Sequence, residues 1–331
     1  MRTRPVSSAP LAFEAFDTSP ARFASDVQYY LTLQPRQLPS RYLYDALGSA
    51  LFDAICKLPW YPITRAEMCL LARHGREIFD RLPDLSRIVE LGSGNGEKLT
   101  TLLESRPVDR VPPEVHLIDV SAAALATSAR TIGTVESVRI VSRRATYETG
   151  LDQIRRERRP PGATLALFLG SNIGNFDPPG ADAFVRAIRG ALTRGDALLL
   201  GADLVKPESD LLLAYDDPLG VTAAFNRNLL VRINAELDGD FDLAAFAHHA
   251  VWNAAESRVE MHLVSLRSQH IRVGAARLEL DMEAGESIWT ESSYKYRPDE
   301  VVGMLEPAGF RLLEQWTDAR PGFALTLVEA I

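Results

Sequence analysis

The segment from Arg87 to Lys98 constrains the fold of this chain more than any other stretch. It reads Arg-Ile-Val-Glu-Leu-Gly-Ser-Gly-Asn-Gly-Glu-Lys. The apolar run of Ile88, Val89 and Leu91 is too short for a helix and suits a buried strand. Three glycines follow, and a helical pattern opens at Glu97. The segment therefore predicts a strand, a tight turn and a helix, which is the first unit of a doubly wound α/β sheet that binds its ligand at the carboxyl end of the strand.

The spacing of these glycines distinguishes two kinds of ligand. Gly92, Gly94 and Gly96 follow a G-x-G-x-G pattern, whereas dinucleotide-binding turns follow G-x-G-x-x-G, a pattern that would place glycine at Glu97. With Glu90 two residues before the first glycine, the turn resembles motif I of S-adenosylmethionine-dependent methyltransferases. A carboxylate there would repel a pyrophosphate but tolerates a sulfonium and an amino acid. The alternative is a glycine turn with a purely structural role.

Two later strands end in polar residues that can face the same crevice. Val115–Asp119 ends in a carboxylate at the place where nucleotide-type sheets hold a ribose, although Asp119 could instead form a helix cap with Ser121. The buried run Thr164–Leu169 leads into the loop Gly170–Asn175. The amide of Asn175 suits a bound zwitterion. The alternative is a turn asparagine that uses its hydrogen bonds locally.

Two domains are expected from the order of these patterns. Further strands are predicted at Val138–Val141 and Ala197–Leu200, and an antiparallel hairpin near Phe310–Trp316 and Phe323–Val328. About 90 residues after Pro207 break the βα alternation, and insertions of that length are usually functional. We therefore expect a Rossmann-like domain over 65–205 and 296–331, and a second, α+β substrate-binding domain over 1–64 and 206–295.

Helices are predicted in the amino-terminal part and inside the insertion. A helical pattern runs from Ser25 to Leu33, and another from Val221 to Leu237. Between them, Thr64 and Glu67 have the spacing of a capping box at the start of a helix.

Composition excludes several classes of function. The chain has 331 residues, a net charge of −8 and a pI near 5.4, which argues against a nucleic-acid partner. No 18-residue apolar run or signal peptide is visible, so neither a membrane span nor a membrane partner is expected. We expect a cytoplasmic monomer. The two cysteines, Cys56 and Cys69, and the six histidines lack ligand spacing, so no metal is expected.

Several motifs together resemble one family, the histidine-specific Nα-methyltransferases of ergothioneine biosynthesis, which use S-adenosyl-L-methionine to make hercynine (histidine betaine). The resemblance spans the chain from about Tyr44 to its last residue, and it implies a Rossmann-like domain with a second domain that closes the amino-acid site. The matching segments are the glycine turn, Tyr44–Asp53, Trp60–Glu67, Gly170–Asn175, Ala214–Asp217, Phe225–Asn228 and Glu291–Tyr296.

The resemblance implies a role for six residues at the substrate, which would be L-histidine and its Nα-methylated forms. Asn175 and Tyr215 match residues that hold the α-amino and carboxylate groups. Glu291 and Ser293 match the pair that grips the imidazole ring. Tyr44 matches another contact on the imidazole side, and Phe52 matches the aromatic wall around the methylated ammonium, where a cation is attracted without a hydrogen bond. The sequence identifies no certain catalytic base.

The resemblance also implies a cofactor set. One departure from the family pattern is visible, since Thr146 stands where the family commonly has an acid that holds the adenine amino group, just before the aromatic Tyr147. The residues expected on the S-adenosylmethionine side are Tyr61, Gly92, Gly94, Gly96, Lys98, Asp119, Thr146, Tyr147 and Gly170.

Three alternative functions remain open from the sequence. The first is an N-methyltransferase for another amino acid such as tryptophan, although an acceptor and a hydroxyl at Glu291 and Ser293 argue against an indole, which offers a single donor. The second is a non-catalytic protein that binds the cofactor or an amino acid. The third is a nicotinamide-dependent dehydrogenase, which the acids at Glu90 and Glu97 disfavour.

Overall fold

A computed structural model of the chain describes residues 19–135, 138–157, 161–318, 320 and 322–331. Short 3₁₀ turns occupy Ser40–Leu43, Asn172–Asn175, Leu243–Ala245 and Glu306–Ala308. The helices are α1 (Pro20–Leu31), α2 (Ala46–Ile55), α3 (Ile63–Arg81), α4 (Glu97–Glu104), α5 (Ala122–Ile132), α6 (Tyr147–Arg156), α7 (Pro178–Ala191), α8 (Glu208–Tyr215), α9 (Val221–Leu237) and α10 (Pro298–Leu305). The strands are β1 (Arg36–Gln37), β2 (Leu85–Leu91), β3 (Glu114–Asp119), β4 (Ile140–Arg144), β5 (Ala163–Phe168), β6 (Ala197–Asp203), β7 (Phe246–Asn253), β8 (Arg258–Ser265), β9 (Gln269–Val273), β10 (Leu278–Met282), β11 (Ser287–Tyr294), β12 (Phe310–Asp318) and β13 (Phe323–Ala330).

The larger sheet has the doubly wound order that the glycine turn predicts. Among the described residues it contains seven strands, in the order β12-β13-β6-β5-β2-β3-β4. Strands β2 to β6 are parallel, and β13 and β12 join the edge of β6 as an antiparallel hairpin. The strand order reverses between β2 and β5, which is the switch point where ligands bind in such sheets. The expected α/β methyltransferase-type fold is confirmed.

Alternation along the central strands sends their side chains into two cores. Ile88 packs in one apolar cluster and its neighbour Val89 in the other, on the opposite face of the sheet. Leu198 and Leu199 on β6 divide in the same way. Because both faces are covered, these strands are nearly continuous apolar runs, as parallel sheets require. A rigid central sheet therefore fixes the loops at its carboxyl edge.

A second, smaller sheet is built from the segments before α3 and after β6. Its order is β1-β11-β8-β7, and β9 and β10 form a separate hairpin. Helix α2 is tied to α9 by the carboxylate of Asp45, which caps α2 at Gly48 and accepts a hydrogen bond from Asn228 at 2.7 Å. The small sheet meets the large one where Leu204 bridges to Tyr296 just after β6. β11 thus ends beside the carboxyl edge of the central sheet.

Three local predictions need correction. The first helix is α1, which starts at Pro20 instead of Ser25 because Ser19 caps it and proline suits the first turn. The third strand lies at 140–144, two residues later than predicted. The capping box is wrong, since α3 begins after Pro62 without a side-chain cap and Glu67 is fully buried.

No helix in the described ranges is long and apolar enough to cross a membrane.

Candidate active site

A cavity lies where the carboxyl edge of the central sheet meets β11 of the small sheet. It encloses about 470 Å³ of atom-free space, its mouth included. All six residues that the sequence assigns to the substrate line it, together with two of those assigned to the cofactor. These eight are Tyr44, Phe52, Tyr61, Gly170, Asn175, Tyr215, Glu291 and Ser293. The structure therefore brings together residues that lie as far apart as 44 and 293 in the chain.

One wall of the cavity is aromatic. The ring centroid of Phe52 lies 5.6 Å from that of Tyr44 and 5.9 Å from that of Phe225. Tyr61 continues the wall, 6.3 Å from Phe52 and 6.3 Å from Tyr215. Such ring faces attract a quaternary ammonium ion through their quadrupoles and make no demand for an N–H donor. The wall can therefore accept an amine at every stage of methylation.

Another part of the cavity lining is polar and comes from one face of β11. Glu291 and Ser293 are two residues apart, so their side chains project to the same side of the strand. Glu291 is 9% exposed, and burial raises its pKa to about 7 against the opposing charge of Lys295. This side of the cavity offers a carboxylate and a hydroxyl within reach of one small ring.

A buried lysine supports the hydroxyl groups of this polar side. Nζ of Lys295 donates to Oη of Tyr215 and to Oγ of Ser293, both at 2.8 Å, and lies 3.1 Å from Oδ2 of Asp203. The hydroxyl of Tyr215 is also hydrogen-bonded to that of Ser293 at 2.8 Å. Asp203 forms a second ion pair with Lys206. The polar end of the cavity is thus backed by a charged network out of contact with water.

The glycine turn follows β2 at the switch point, next to the cavity. Gly92 has φ +81°, and a Cβ there would lie 2.9 Å from the hydroxyl of Tyr147 and 3.3 Å from the amide nitrogen of Asn172. Gly94 has φ +51° and is exposed, with no atom of the described residues within 4 Å of a Cβ added there. Glycine is required at the first position by crowding and at the second by backbone conformation. The backbone at Gly94 is open to a ligand.

Asp119 faces the turn from the end of β3. Its Oδ1 accepts the N–H of Ser121 at 2.8 Å, and its Oδ2 lies 3.4 Å from the nitrogen of Gly94. Ser121, in turn, caps α5. One carboxylate oxygen therefore serves the local turn, as the alternative interpretation of this residue supposes, and the other points to the glycine turn. Burial raises the pKa of Asp119 above its usual range, against these backbone hydrogen bonds.

Glu67 and Lys98 close the edge between the glycine turn and Gly170. The two carboxylate oxygens of Glu67 each lie 2.9 Å from the nitrogen of Gly170, and Oε2 pairs with Nζ of Lys98 at 2.6 Å. Nearby, Glu90 is 2% exposed, and its Oε2 has no hydrogen-bond partner among the described residues. Burial raises the pKa of Glu90 to about 8, although the charge of Lys98 opposes this.

Three of the predicted cofactor residues take structural positions at this edge. Thr146 caps α6, its hydroxyl accepting the N–H of Thr149 at 3.2 Å. The ring of Tyr147 packs between Phe168 and Phe184, with its hydroxyl against Gly92. Gly96 lies at the start of α4 under the backbone of Ser128, where a Cβ would come within 2.9 Å.

Sequence reasoning missed several residues of the site. Glu67 was interpreted as part of a helix cap, and Lys295, Asp203 and Lys206 were given no role. The period-2 spacing of Glu291, Ser293 and Lys295 was a signal for Lys295, because alternate residues share one face of a strand. The sequence assigns no individual role to the other residues that line the cavity, although several lie in the matching segments: Ile55, Ile63, Ser171, Asn172, Ala214, Thr222, Phe225 and Met261. The described residues contain no cluster of three side chains able to hold a metal ion.

Comparison with known proteins finds one family over nearly the whole chain. A family model described as "Histidine-specific methyltransferase, SAM-dependent" matches residues 23–330. Histidine N-alpha-methyltransferase of Mycolicibacterium smegmatis is 42% identical over 95% of this chain and 96% of its own. The enzyme of the same name from Mycobacterium tuberculosis is 43% identical over 91% and 93%. A 4-dimethylallyltryptophan N-methyltransferase from Epichloe festucae var. lolii is 26% identical over 87% and 89%.

Proposed function

The chain belongs to the family of S-adenosylmethionine-dependent, histidine-specific methyltransferases, and we propose that it methylates the α-amino group of L-histidine three times to give hercynine, in ergothioneine biosynthesis. The observation that carries the choice of substrate is the pairing of Glu291 and Ser293 in a buried cavity that has an aromatic wall and adjoins the glycine turn.

The residues around the glycine turn fit S-adenosylmethionine. Glu90, Asp119 and Glu67 supply carboxyl groups, and Lys98 is already paired with Glu67. Because Lys98 is committed to Glu67, this cluster offers a pyrophosphate no free cation to balance its charge, whereas a cationic sulfonium needs none and would favour the charged forms of Glu90 and Asp119. The exposed backbone of Gly94 and the Oδ2 of Asp119 are placed to receive the nucleoside end. Lys98, Tyr147 and Gly170 complete the proposed cofactor side, and Thr146 stays a predicted contact.

The cavity fits an amino acid with a small ring that carries both a donor and an acceptor. A neutral imidazole has one ring nitrogen that donates and one that accepts. Glu291 accepts a hydrogen bond from the ring nitrogen that donates, and Ser293 donates one to the ring nitrogen that accepts. Asn175 lies in the turn after β5, at the edge of the central sheet, and together with Tyr215 it holds the α-amino and carboxylate groups. Tyr61, which the resemblance assigns to the cofactor side, lines this cavity beside Phe52 and Tyr215.

The division of labour supports two domains with the boundaries expected from sequence. Apart from Tyr61, the proposed cofactor residues lie on turns and helices beside the larger sheet, within 65–205. Glu291, Ser293 and Tyr215 come from the 206–295 insertion, and Tyr44 and Phe52 come from 1–64. The cavity is closed by side chains of both regions, so histidine would bind between them.

The chain contributes alignment and exclusion of water to the reaction. S-adenosylmethionine would supply the methyl group: the lone pair of the free amine forms the new C–N bond as the C–S bond breaks, S-adenosylhomocysteine leaves without needing a proton, and each new ammonium gives its proton to water before the next transfer. Asn175 orients the amine towards the glycine turn, and this positioning lowers the barrier by fixing the reacting geometry in advance. The aromatic wall of Tyr44, Phe52 and Phe225 accepts the growing positive charge on nitrogen. Because the ring is held remotely at Glu291, the same pose serves all three transfers.

A methyl-transfer assay across amino acids tests this proposal. Native protein should methylate histidine and its mono- and dimethyl forms, and it should be very poor on tryptophan and phenylalanine. An apolar ring would leave Glu291 and Ser293 unpaired in the cavity, which can cost several kcal/mol. The replacement Glu291→Ala should raise the KM for histidine with a smaller change in kcat, since the contact is similar in the ground and transition states.

Glu283→Ala is a matched control, because that carboxylate is exposed at the far end of the β9–β10 hairpin. It should leave both constants unchanged. Equal turnover of tryptophan and histidine by native protein, or an unchanged KM for histidine in Glu291→Ala, would refute the choice of substrate.

A further inference from the structure

Lys295 is buried behind the polar end of the cavity, and three oxygen atoms surround its ammonium group. It is 2% exposed. An ammonium has three N–H groups, and Nζ has three partners: Oη of Tyr215, Oγ of Ser293 and the carboxylate of Asp203. Burial alone would lower the pKa of Lys295, but the oxygen of Tyr215 and the carboxylate of Asp203 raise it above its ordinary value. Lys295 is therefore a cation with fixed contacts.

The charge of Lys295 determines the direction of the hydrogen bonds around it. An ammonium donates and cannot accept, so the oxygens of Tyr215 and Ser293 both accept from Lys295, and neither hydroxyl hydrogen can point back at it. The two hydroxyl groups are 2.8 Å apart and share one hydrogen. The second hydrogen must point elsewhere, and both side chains line the cavity. The pair therefore has an O–H to offer to a ligand.

We propose that Lys295 is a positioning residue that makes the Tyr215–Ser293 hydroxyl pair a hydrogen-bond donor towards the substrate ring. The inference rests on the proposed function and deepens it, since the cavity then presents one acceptor, Glu291, and one donor. That combination matches a neutral imidazole. A ring without a basic nitrogen would leave the O–H donor of the pair without an acceptor. Without Lys295, the Ser293 hydroxyl is free to turn its hydrogen away and present a lone pair instead.

Two replacements of Lys295 separate hydrogen-bond donation from simple packing. Lys295→Met keeps similar volume without N–H groups, and Asp203 retains Lys206 as its partner. Lys295→Gln keeps an N–H₂ donor without the charge. Histidine binding would be measured by calorimetry on protein saturated with S-adenosylhomocysteine. We expect the Met variant to weaken histidine binding on the order of 10-fold to 100-fold, as an unpaired hydroxyl contact would, and the Gln variant to weaken it less.

A double-mutant cycle with Ser293→Ala shows whether Lys295 acts through that hydroxyl. In the Ser293→Ala background, Lys295→Met should have an effect at least about fivefold smaller than in native protein, because coupled residues are not additive. Affinity for S-adenosylhomocysteine should change less than about twofold in every variant and serves as the test of folding. If Lys295→Met does not fold, the same double-mutant cycle is made with Lys295→Gln.

The outcomes separate the two hypotheses. Native protein that binds S-adenosylhomocysteine but not histidine would overturn the proposed function, and this inference with it. Native protein that binds histidine, with effects of Lys295→Met and Ser293→Ala that simply multiply, would overturn the role of Lys295 alone. So would a Gln variant as weak as the Met variant.

Discussion

At the scale of single residues, burial gives the acids of this site their different properties. Glu90 and Glu291 are both secluded from water, and burial raises their pKa values to about 8 and about 7. Glu67 is fully buried as well, but it receives the N–H of Gly170 and the charge of Lys98. Both oxygens of Glu67 are thus engaged, whereas the Oε2 of Glu90 has no hydrogen-bond partner among the described residues. Neighbouring acids in one crevice therefore take different roles.

Replacement of Asp119 tests the cofactor side. Asp119→Ala removes the Oδ2 that faces Gly94, and we expect affinity for S-adenosylhomocysteine to fall by roughly 1–3 kcal/mol, as for one lost hydroxyl contact. Calorimetry would measure it, with Glu104→Ala on the exposed face of α4 as the control. Native protein should show no useful affinity for NAD, and tight NAD binding would contradict the cofactor assignment.

At the scale of elements, the site depends on short turns held against strands. The 3₁₀ turn Asn172–Asn175 touches β11 closely, since a Cβ at Gly174 would lie 2.6 Å from the carbonyl oxygen of Tyr294. The same turn is fixed to β6 by Ser171, whose Oγ accepts the N–H of Asp203 at 2.9 Å. Asn175 is thereby positioned relative to Ser293 through backbone contacts.

Gly174→Ala should disturb this contact. Neither backbone can yield like the end of a flexible side chain, so we expect a loss of stability of about 1–3 kcal/mol, typical of overpacking. The KM for histidine should rise more than the affinity for S-adenosylhomocysteine falls. Gly190→Ala in α7 is the control, because its Cβ would meet no described atom within 4 Å, and it should be neutral or slightly stabilising. Equal behaviour of the two variants would show that the turn does not depend on close packing.

Helix α6 allows a test of the one departure from the family pattern. Aspartate caps helices as well as threonine does, so Thr146→Asp should keep α6 intact. If position 146 faces the adenine amino group, the variant should bind S-adenosylhomocysteine more tightly or equally. Thr146→Ala serves for comparison and should cost about 1 kcal/mol of stability through the lost cap. A clear loss of cofactor affinity in a folded Thr146→Asp variant would show that this loop is misaligned with the family.

At the scale of the whole molecule, the buried acids make stability depend on pH. The unfolded chain releases the Glu90 proton near pH 4.5 and the folded chain near 8, so between these values the folded state binds more protons. Its stability from this group is complete below pH 4.5 and is lost as the pH rises through about 8. Glu291 acts in the same direction up to about pH 7. The cofactor-free protein should therefore be less stable at pH 9 than at pH 6.

Glu90→Gln should reduce this dependence. Urea unfolding without cofactor at pH 6 and pH 9 would measure it. We expect the variant to resemble native protein at pH 6 and to exceed its stability at pH 9 by on the order of 1–3 kcal/mol. Glu104→Gln, at an exposed position, should follow the native curve. If the free energy of unfolding falls equally from pH 6 to pH 9 in native protein and in Glu90→Gln, Glu90 is not the group that titrates.

Much of the larger sheet could be predicted because its signals are local. Glycine spacing and short apolar runs predict β2, β3, β5 and β6, and the helix that opens at Glu97. The small sheet was harder to recognise, because β7 and β11 carry polar side chains that face the cavity or the solvent, such as Glu291 and His249. Most residues of the cavity wall belong to the family motifs, so the resemblance already groups them.

The sequence by itself determined the turn, the order of the strands and the identity of the family, all of which follow from residue types at fixed spacings. Only the tertiary structure decided which charges meet: Glu67 with Gly170 and Lys98, and Lys295 with Asp203, Tyr215 and Ser293. These contacts join segments up to about 100 residues apart, and their strength depends on exclusion from water. Local sequence patterns predict neither these long-range contacts nor the exclusion from water, because both arise only when the chain is packed.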